Sequence, residues 1–216
     1  MARIPERAVV FVDGNNWYHG LKDLGFTGLG WLNYAKVSAK LVQPPRQWTA
    51  TRYYVGQVQQ RGNLSLYADQ RRYMSWLMGR DPRITIHYGR LEERTATDKA
   101  AAELKRYLAN LPVRIDPAVY RGLSEIAARH TNVSITVEKA VDVKLAVDMF
   151  RMAARDEYDV AYLLAADGDY TPAVEAVVAA GKTVFAAAPR YGAELARVVK
   201  SYMRLRGGWF PDCFGE

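Results

Sequence analysis

The chain has 216 residues, with 30 Lys and Arg against 23 Asp and Glu, a formal net charge of +7 and a single cysteine, Cys213. That length suits one well-buried α/β domain, and without a composition break residues 1–216 read as a single domain. The lone cysteine excludes an internal disulfide and a cysteine-built metal centre, while the basic balance favours a polyanionic partner such as nucleic acid over an acidic protein surface.

The segment Met1–Glu6 is too short and too polar for a signal peptide, and the apolar run that follows is cut at Asp13, far short of a membrane span. A soluble protein of the reducing cytoplasm is therefore expected. That first run, Ala8–Val12, is free of charge and ends in Asp13-Gly14-Asn15-Asn16, which reads as a buried strand releasing a carboxylate at its carboxyl end. Trp17–Leu24 has mixed helical character, and Trp31–Val42 repeats apolar residues at helical spacing until Pro44-Pro45. Gly28 and Gly30 fail as a dinucleotide fingerprint, because Asn33 stands where the third glycine belongs and no strand directly precedes them.

Thr49–Gly56 is β-branched and aromatic and predicts a second strand, Leu64–Met78 a helix carrying the exposed pair Arg71-Arg72, and Ile84–Tyr88 a third strand. Residues 91–133 then read as a helical insertion, with helices over Ala100–Leu108 and Ala118–Ala128 separated by Leu111-Pro112 and Asp116-Pro117. Its mixed charges describe a solvated face. His19, His87 and His130 lack the spacing of a metal pair and are read as structural or surface residues.

Ser134–Val137 predicts a short strand feeding a helix over Val141–Arg155. Plotted at 100° per residue, Lys144, Asp148, Arg151 and Arg155 form one stripe, which makes Asp148 part of a solvated face. Asp142 falls instead among Leu145, Ala146, Met149, Met152 and Ala153, on the face that must pack against the sheet, where it is either a site residue or a first-turn acid favoured by the helix dipole. The run Val160–Ala166 repeats the device of the first strand and stops at Asp167-Gly168-Asp169; either both acids belong to a site or one caps the helix starting near Thr171-Pro172. A helix over Asp169–Ala180, a strand over Lys182–Ala187 and a final helix over Ala193–Arg206, with Arg197, Lys200 and Arg204 at helical spacing, complete the chain.

Strands alternating with helices predict right-handed crossovers and a three-layer α/β sandwich around a central, mainly parallel five-stranded sheet. Two buried strands with acidic ends can lie side by side, so that their carboxylates converge at the sheet edge where open α/β folds place their sites. Converging carboxylates repel unless a hard cation or a shared proton relieves them.

In order and spacing, Phe11–Asn16, Glu138–Asp148 and Leu163–Tyr170 together resemble the NYN domain family, the LabA-like branch of the PIN-like nuclease superfamily. The resemblance covers nearly the whole chain except the insertion. It implies a PIN-like fold and a metal-dependent ribonuclease site in which Asp13, Asp142, Asp167 and Asp169 are the acidic positions, Asn16 is their polar companion and Asp148 a recurrent second-rank acid. Oxygen-only ligands would select Mg²⁺ or Mn²⁺. Single-stranded RNA is the expected partner, with Arg71, Arg72, Arg197 and Lys200 as backbone contacts, and a homo-oligomer stays open.

Two features depart from the family pattern: Ala165-Ala166 stands where a Ser-Gly pair is common, and the insertion is longer than usual. A catalytically silent RNA-binding or regulatory module is thus the rival reading. An aspartyl-nucleophile phosphatase would want an acid at position 15, where the chain has Asn15.

Overall fold

The computed structural model describes residues 4–60, 63–111, 114 and 116–215, with 92–97 and 132–139 described in backbone only. Along the chain the elements are β1 (Glu6–Asp13), α1 (Gly14–Asp23), α2 (Tyr34–Leu41), β2 (Arg46–Gln57), α3 (Leu64–Met78), β3 (Ile84–Thr97), α4 (Lys99–Ala109), α5 (Pro117–Thr131), β4 (Asn132–Lys139), α6 (Val141–Ala154), β5 (Val160–Leu164), α7 (Thr171–Ala179), β6 (Thr183–Ala188), α8 (Leu195–Val198) and β7 (Ser201–Arg204). Short 3-10 turns fall at Leu29–Trp31, Gly168–Tyr170, Gly207–Trp209 and Pro211–Cys213.

The chain divides into two compact units, Met1–Arg90 with Lys139–Glu216, and Leu91–Glu138. The strands are ordered β4-β3-β2-β1-β5-β6-β7. From β3 to β7 every neighbouring pair runs parallel, so the expected sheet of five strands is one of six parallel strands, with β4 beside β3. Connections leave β1 toward β2 on one side, and β5 leads to β6 and β7 on the other. The order therefore reverses between β1 and β5, which are paired with Val12 opposite Leu164, and this is the switch point where open α/β sheets form a crevice.

Alternation along these two strands builds a core on each face. Ala8, Val10, Val12, Tyr162 and Leu164 pack with Trp17 and Leu21 of α1, Val37 of α2 and Leu77 of α3. On the opposite face, Val9, Phe11, Ala161 and Leu163 pack with Leu145 and Met149 of α6 and with Val174 and Val177 of α7. Helices on both faces leave β1 and β5 almost wholly buried, which is why they read as continuous apolar runs.

The C-terminal segment departs from expectation. In place of a helix over Ala193–Arg206, a single turn, α8, is followed by a strand, β7. The reason lies in the edge of β6, whose backbone groups need partners: Lys200 N–H donates to Val184 O at 2.8 Å and Leu205 N–H to Ala188 O at 2.9 Å. Tyr202 packs on one core and Met203 on the other. This is a strand's period of two, and the helical spacing of Arg197, Lys200 and Arg204 was coincidental.

The second unit, Leu91–Glu138, holds α4 and α5. Asp98 caps α4 by accepting from Ala101 N–H at 2.8 Å, and Asp116 accepts from Ala118 N–H at 2.8 Å at the start of α5. It is not purely helical, because β3 runs on past Arg90 to Thr97 and β4 returns the chain to α6.

Candidate active site

Asp13 ends β1 and begins α1 at once. Its Oδ1 accepts from Asn16 N–H at 2.9 Å, as an N-cap does, and the residue is only 4 % exposed. Gly14 follows because Tyr53 fills the space beside it: a Cβ there would lie 2.6 Å from the tyrosine ring. The Asn16 side chain reaches across the switch point, its Oδ1 accepting from Ala166 N–H at 3.0 Å, and so ties the end of β5 to the start of α1.

Beyond β5, Asp167 caps the turn Gly168–Tyr170 by accepting from Asp169 N–H at 3.0 Å. A 3-10 turn brings the residue three positions on back to the same side, and Tyr170, 1 % exposed, turns its hydroxyl toward the end of β1. Its hydroxyl lies 3.0 Å from Asp13 Oδ2 and 2.9 Å from Asp142 Oδ1. Asp142 stands in the first turn of α6, which follows Ala140 in the left-handed conformation at φ 65°. A phenol has one hydrogen to donate. Two carboxylates facing it are fully satisfied only when one of them carries a proton itself.

Asp13 is the acid suited to hold that proton. Its carboxyl is pushed up to about 6, first by burial and further by the charges of Asp142 and Asp167, against the lowering effect of Asn16 N–H and the Tyr170 hydroxyl. Burial, with the two carboxylates beside it, holds the Tyr170 phenol far above its ordinary range and therefore neutral. The structure thus joins Asp13 and Asp142 through Tyr170 and places Asp167 within electrostatic reach. Asp169 is exposed, and its backbone rather than its carboxylate makes the contact to Asp167. Among the described residues, no three His, Cys, Asp or Glu side chains form a group ready to ligate one ion.

Asp148 is not on a solvated face. It is 6 % exposed, with Oδ2 accepting from Arg52 and from the Tyr54 hydroxyl, both at 3.0 Å, and Oδ1 from Arg151 at 2.7 Å. Burial alone would raise this carboxyl; the hydrogen bonds and charges of its partners overcome that and hold it below the usual range. The helical stripe was drawn correctly, but β2 presents Arg52 and Tyr54 to it. Asp148 lies six positions after Asp142, a rise of about 9 Å along the helix, and the oxygens of Asp148 are committed to this network. His87 stacks on Tyr54 with ring centroids 4.8 Å apart and is pushed down to about 4, mainly by burial and then by Arg52.

Of the basic candidates, Arg71 and Arg72 lie exposed on α3, with Arg71 over the Tyr67 ring at 5.8 Å and Arg72 paired with Asp69 at 3.4 Å. Arg197 is exposed on α8, and Lys200 sits in the bend before β7 rather than on a helix. The residue that sequence reasoning passed over is Tyr170. Its signal was an aromatic three positions after Asp167, ahead of the helix-starting Pro172.

The family model for the NYN domain matches residues 7–205. Among curated proteins none matches. A crystal structure of a protein of unknown function from Vibrio parahaemolyticus is similar with a TM-score of 0.56 at 14 % identity, covering 94 % of each chain, and at that identity it speaks for the fold alone. A solved chain from work on the mechanism and regulation of Sir2 enzymes gives a TM-score of 0.39 at 9 % identity, covering 97 % of this chain and 90 % of its own, too remote to carry an argument. With a PIN-like sheet whose switch point gathers Asp13, Asp142 and Tyr170, and a family model spanning nearly its whole length, this chain belongs to the NYN domain family.

Proposed function

We propose that the protein is a Mg²⁺- or Mn²⁺-dependent ribonuclease whose site is built on Asp13, Asp142, Asp167 and Asp169. The observation that carries this reading is the pair of carboxylates, Asp13 and Asp142, facing one hydroxyl at the carboxyl ends of β1 and β5. The donor set suits the cation. All four acids offer hard oxygens, and Asp13 is raised in part by Asp142 and Asp167, an excess of negative charge that a divalent ion relieves. When bound, the metal would neutralise charge on a phosphodiester and ease deprotonation of the attacking water.

The chain's own residues supply the rest. Asn16 fixes the spacing of the two strand ends, Tyr170 orients the facing oxygens of Asp13 and Asp142, and Asp167 stiffens the turn that delivers Tyr170. Without the cation the Asp13 carboxyl holds its proton up to about pH 6, so cation binding there competes with that proton. The basic excess and the exposed Arg71, Arg72, Arg197 and Lys200 support a polyanionic substrate, single-stranded RNA in this reading. No described helix is long and apolar enough to cross a membrane.

The second reading, a silent RNA-binding module, draws on Ala165-Ala166, which offers no hydroxyl where the family pattern has a serine. The two separate in an assay on single- and double-stranded RNA and DNA with Mg²⁺, Mn²⁺ or EDTA. Cleavage of single-stranded RNA that EDTA abolishes supports the nuclease; binding without cleavage under every metal condition supports the module.

A further inference from the structure

A second feature of the same unit lies away from the acids. The turn Leu29–Trp31 and helix α3 enclose a cavity of about 230 Å³ lined by Gly30, Trp31, Asp69, Arg72, Tyr73 and Trp76. Trp31 is 56 % exposed although it is one of the chain's largest apolar side chains, and it stands edge-on to Trp76 at 5.7 Å. The opposite wall is held firmly: Tyr73 stacks on Trp76 at 5.9 Å and its hydroxyl donates to Leu32 O at 2.9 Å. Gly30 opens the rim, since a Cβ there would meet nothing within 4 Å.

Guanidinium groups lie on and beside this cavity. Arg80 lies over Trp76 at 5.0 Å, Arg71 lies over the neighbouring Tyr67 at 5.8 Å, and Arg72 lines the cavity, paired there with the exposed Asp69 at 3.4 Å. A solvent-exposed pair of that kind is weak, and a phosphate can take the place of the carboxylate. Acidic and basic residues balance within Leu91–Glu138, so the net positive charge of the chain resides on the unit that carries this cavity. Aromatic faces beside arginines on a positive surface are the composition that grips single-stranded nucleic acid, with the rings stacking bases and the guanidiniums following the backbone.

We infer that this cavity seats one unpaired base of a single-stranded nucleic acid, stacked on Trp31 against Tyr73 and Trp76, with Arg72 on an adjoining phosphate. Bases inside a duplex have their faces covered by their neighbours, so the seat selects for single strands. The inference rests on the nucleic-acid reading above and adds to it a place where the strand is held.

The test is equilibrium binding by the full chain carrying Asp13→Asn, so that bound strands stay intact. Labelled short single-stranded RNA, the same sequence as DNA, its duplex, and an RNA with one abasic position serve as probes. Trp31→Ala should weaken single-strand binding roughly tenfold while Trp31→Phe restores most of it. The salt dependence separates the two contact types: Trp31→Ala should leave the log–log slope unchanged, whereas Arg72→Ala should flatten it by roughly 0.7. The abasic strand should lose its sensitivity to Trp31→Ala. Unchanged single-strand affinity in Trp31→Ala overturns the inference while metal-dependent cleavage by the wild type keeps the nuclease reading. Duplex binding as tight as single-strand binding also overturns it, as does displacement of every probe by a synthetic acidic, aromatic peptide that binds more tightly. If the wild type neither binds nor cleaves any of these strands, the inference and the nuclease reading fall together.

Discussion

The shared hydroxyl of Tyr170 makes a pH-dependent prediction. Its two contacts, 3.0 and 2.9 Å, put the facing oxygens of Asp13 and Asp142 no more than about 6 Å apart, where two full charges repel by about 3 kcal/mol at an effective dielectric constant of 20. Asp13 titrates near 6 in the folded protein against an ordinary value of 3.8, a difference of about 3 kcal/mol. Because the folded value is the higher one, the protonated carboxyl belongs to the native state. The stability linked to Asp13 is complete below about pH 4 and is lost as pH rises through 6. Replacing Tyr170 by Phe keeps the buried ring and removes only the hydroxyl. At pH 8, with Asp13 ionised and one charge-assisted hydrogen bond gone, the metal-free variant should lose about 2–4 kcal/mol. At pH 5 Asp13 is protonated, the repulsion is absent, and the loss should fall to about 1 kcal/mol. Urea titrations in EDTA at both pH values measure the difference directly. A loss that agrees at pH 5 and pH 8 to within about 0.5 kcal/mol would refute the coupling of Tyr170 to the two acids.

Asp148→Ala should destabilise the protein by about 3 kcal/mol, because it leaves Arg52 and Tyr54 without their partner in a buried setting; a urea midpoint unchanged at constant slope would return Asp148 to the solvated face. Asp167→Asn keeps an acceptor for Asp169 N–H, so the metal-free variant should melt at or above the wild-type temperature. At a hundredfold excess over Kd, Mn²⁺ should stabilise the wild type by roughly 2.7 kcal/mol and the variant far less; equal shifts in both would remove Asp167 from the cation site. Arg197→Ala with Lys200→Ala should flatten the log–log salt slope of RNA binding by roughly 1.4, and an unchanged slope would take both residues out of the interface.

The sheet was readable because burial on both faces writes itself as uninterrupted apolar sequence, and Val160–Ala166 and Ala8–Val12 carry little else. The α3 helix was found to the residue, since Asn63 caps it and Gly79 ends it. Asp13 and Asp142 were legible from an acid at a strand end and an acid on an apolar helical face. What stayed hidden depends on partners distant in sequence. The burial of Asp148 is decided by Arg52 and Tyr54, nearly a hundred residues earlier, and the strand state of Ser201–Arg204 by the open edge of β6. Tyr170 looks like one more aromatic until the turn after β5 places its hydroxyl between two carboxylates.

The most direct test of the account is a double-mutant cycle on RNA cleavage, with Asp13→Asn, Asp142→Asn and the double variant assayed in single turnover with Mn²⁺ and with EDTA. Residues that act as one catalytic unit are strongly non-additive. The account predicts that either single change removes nearly all Mn²⁺-dependent cleavage and that the double change adds little further loss. Near-normal cleavage by both single variants, or cleavage that persists in EDTA, would contradict it.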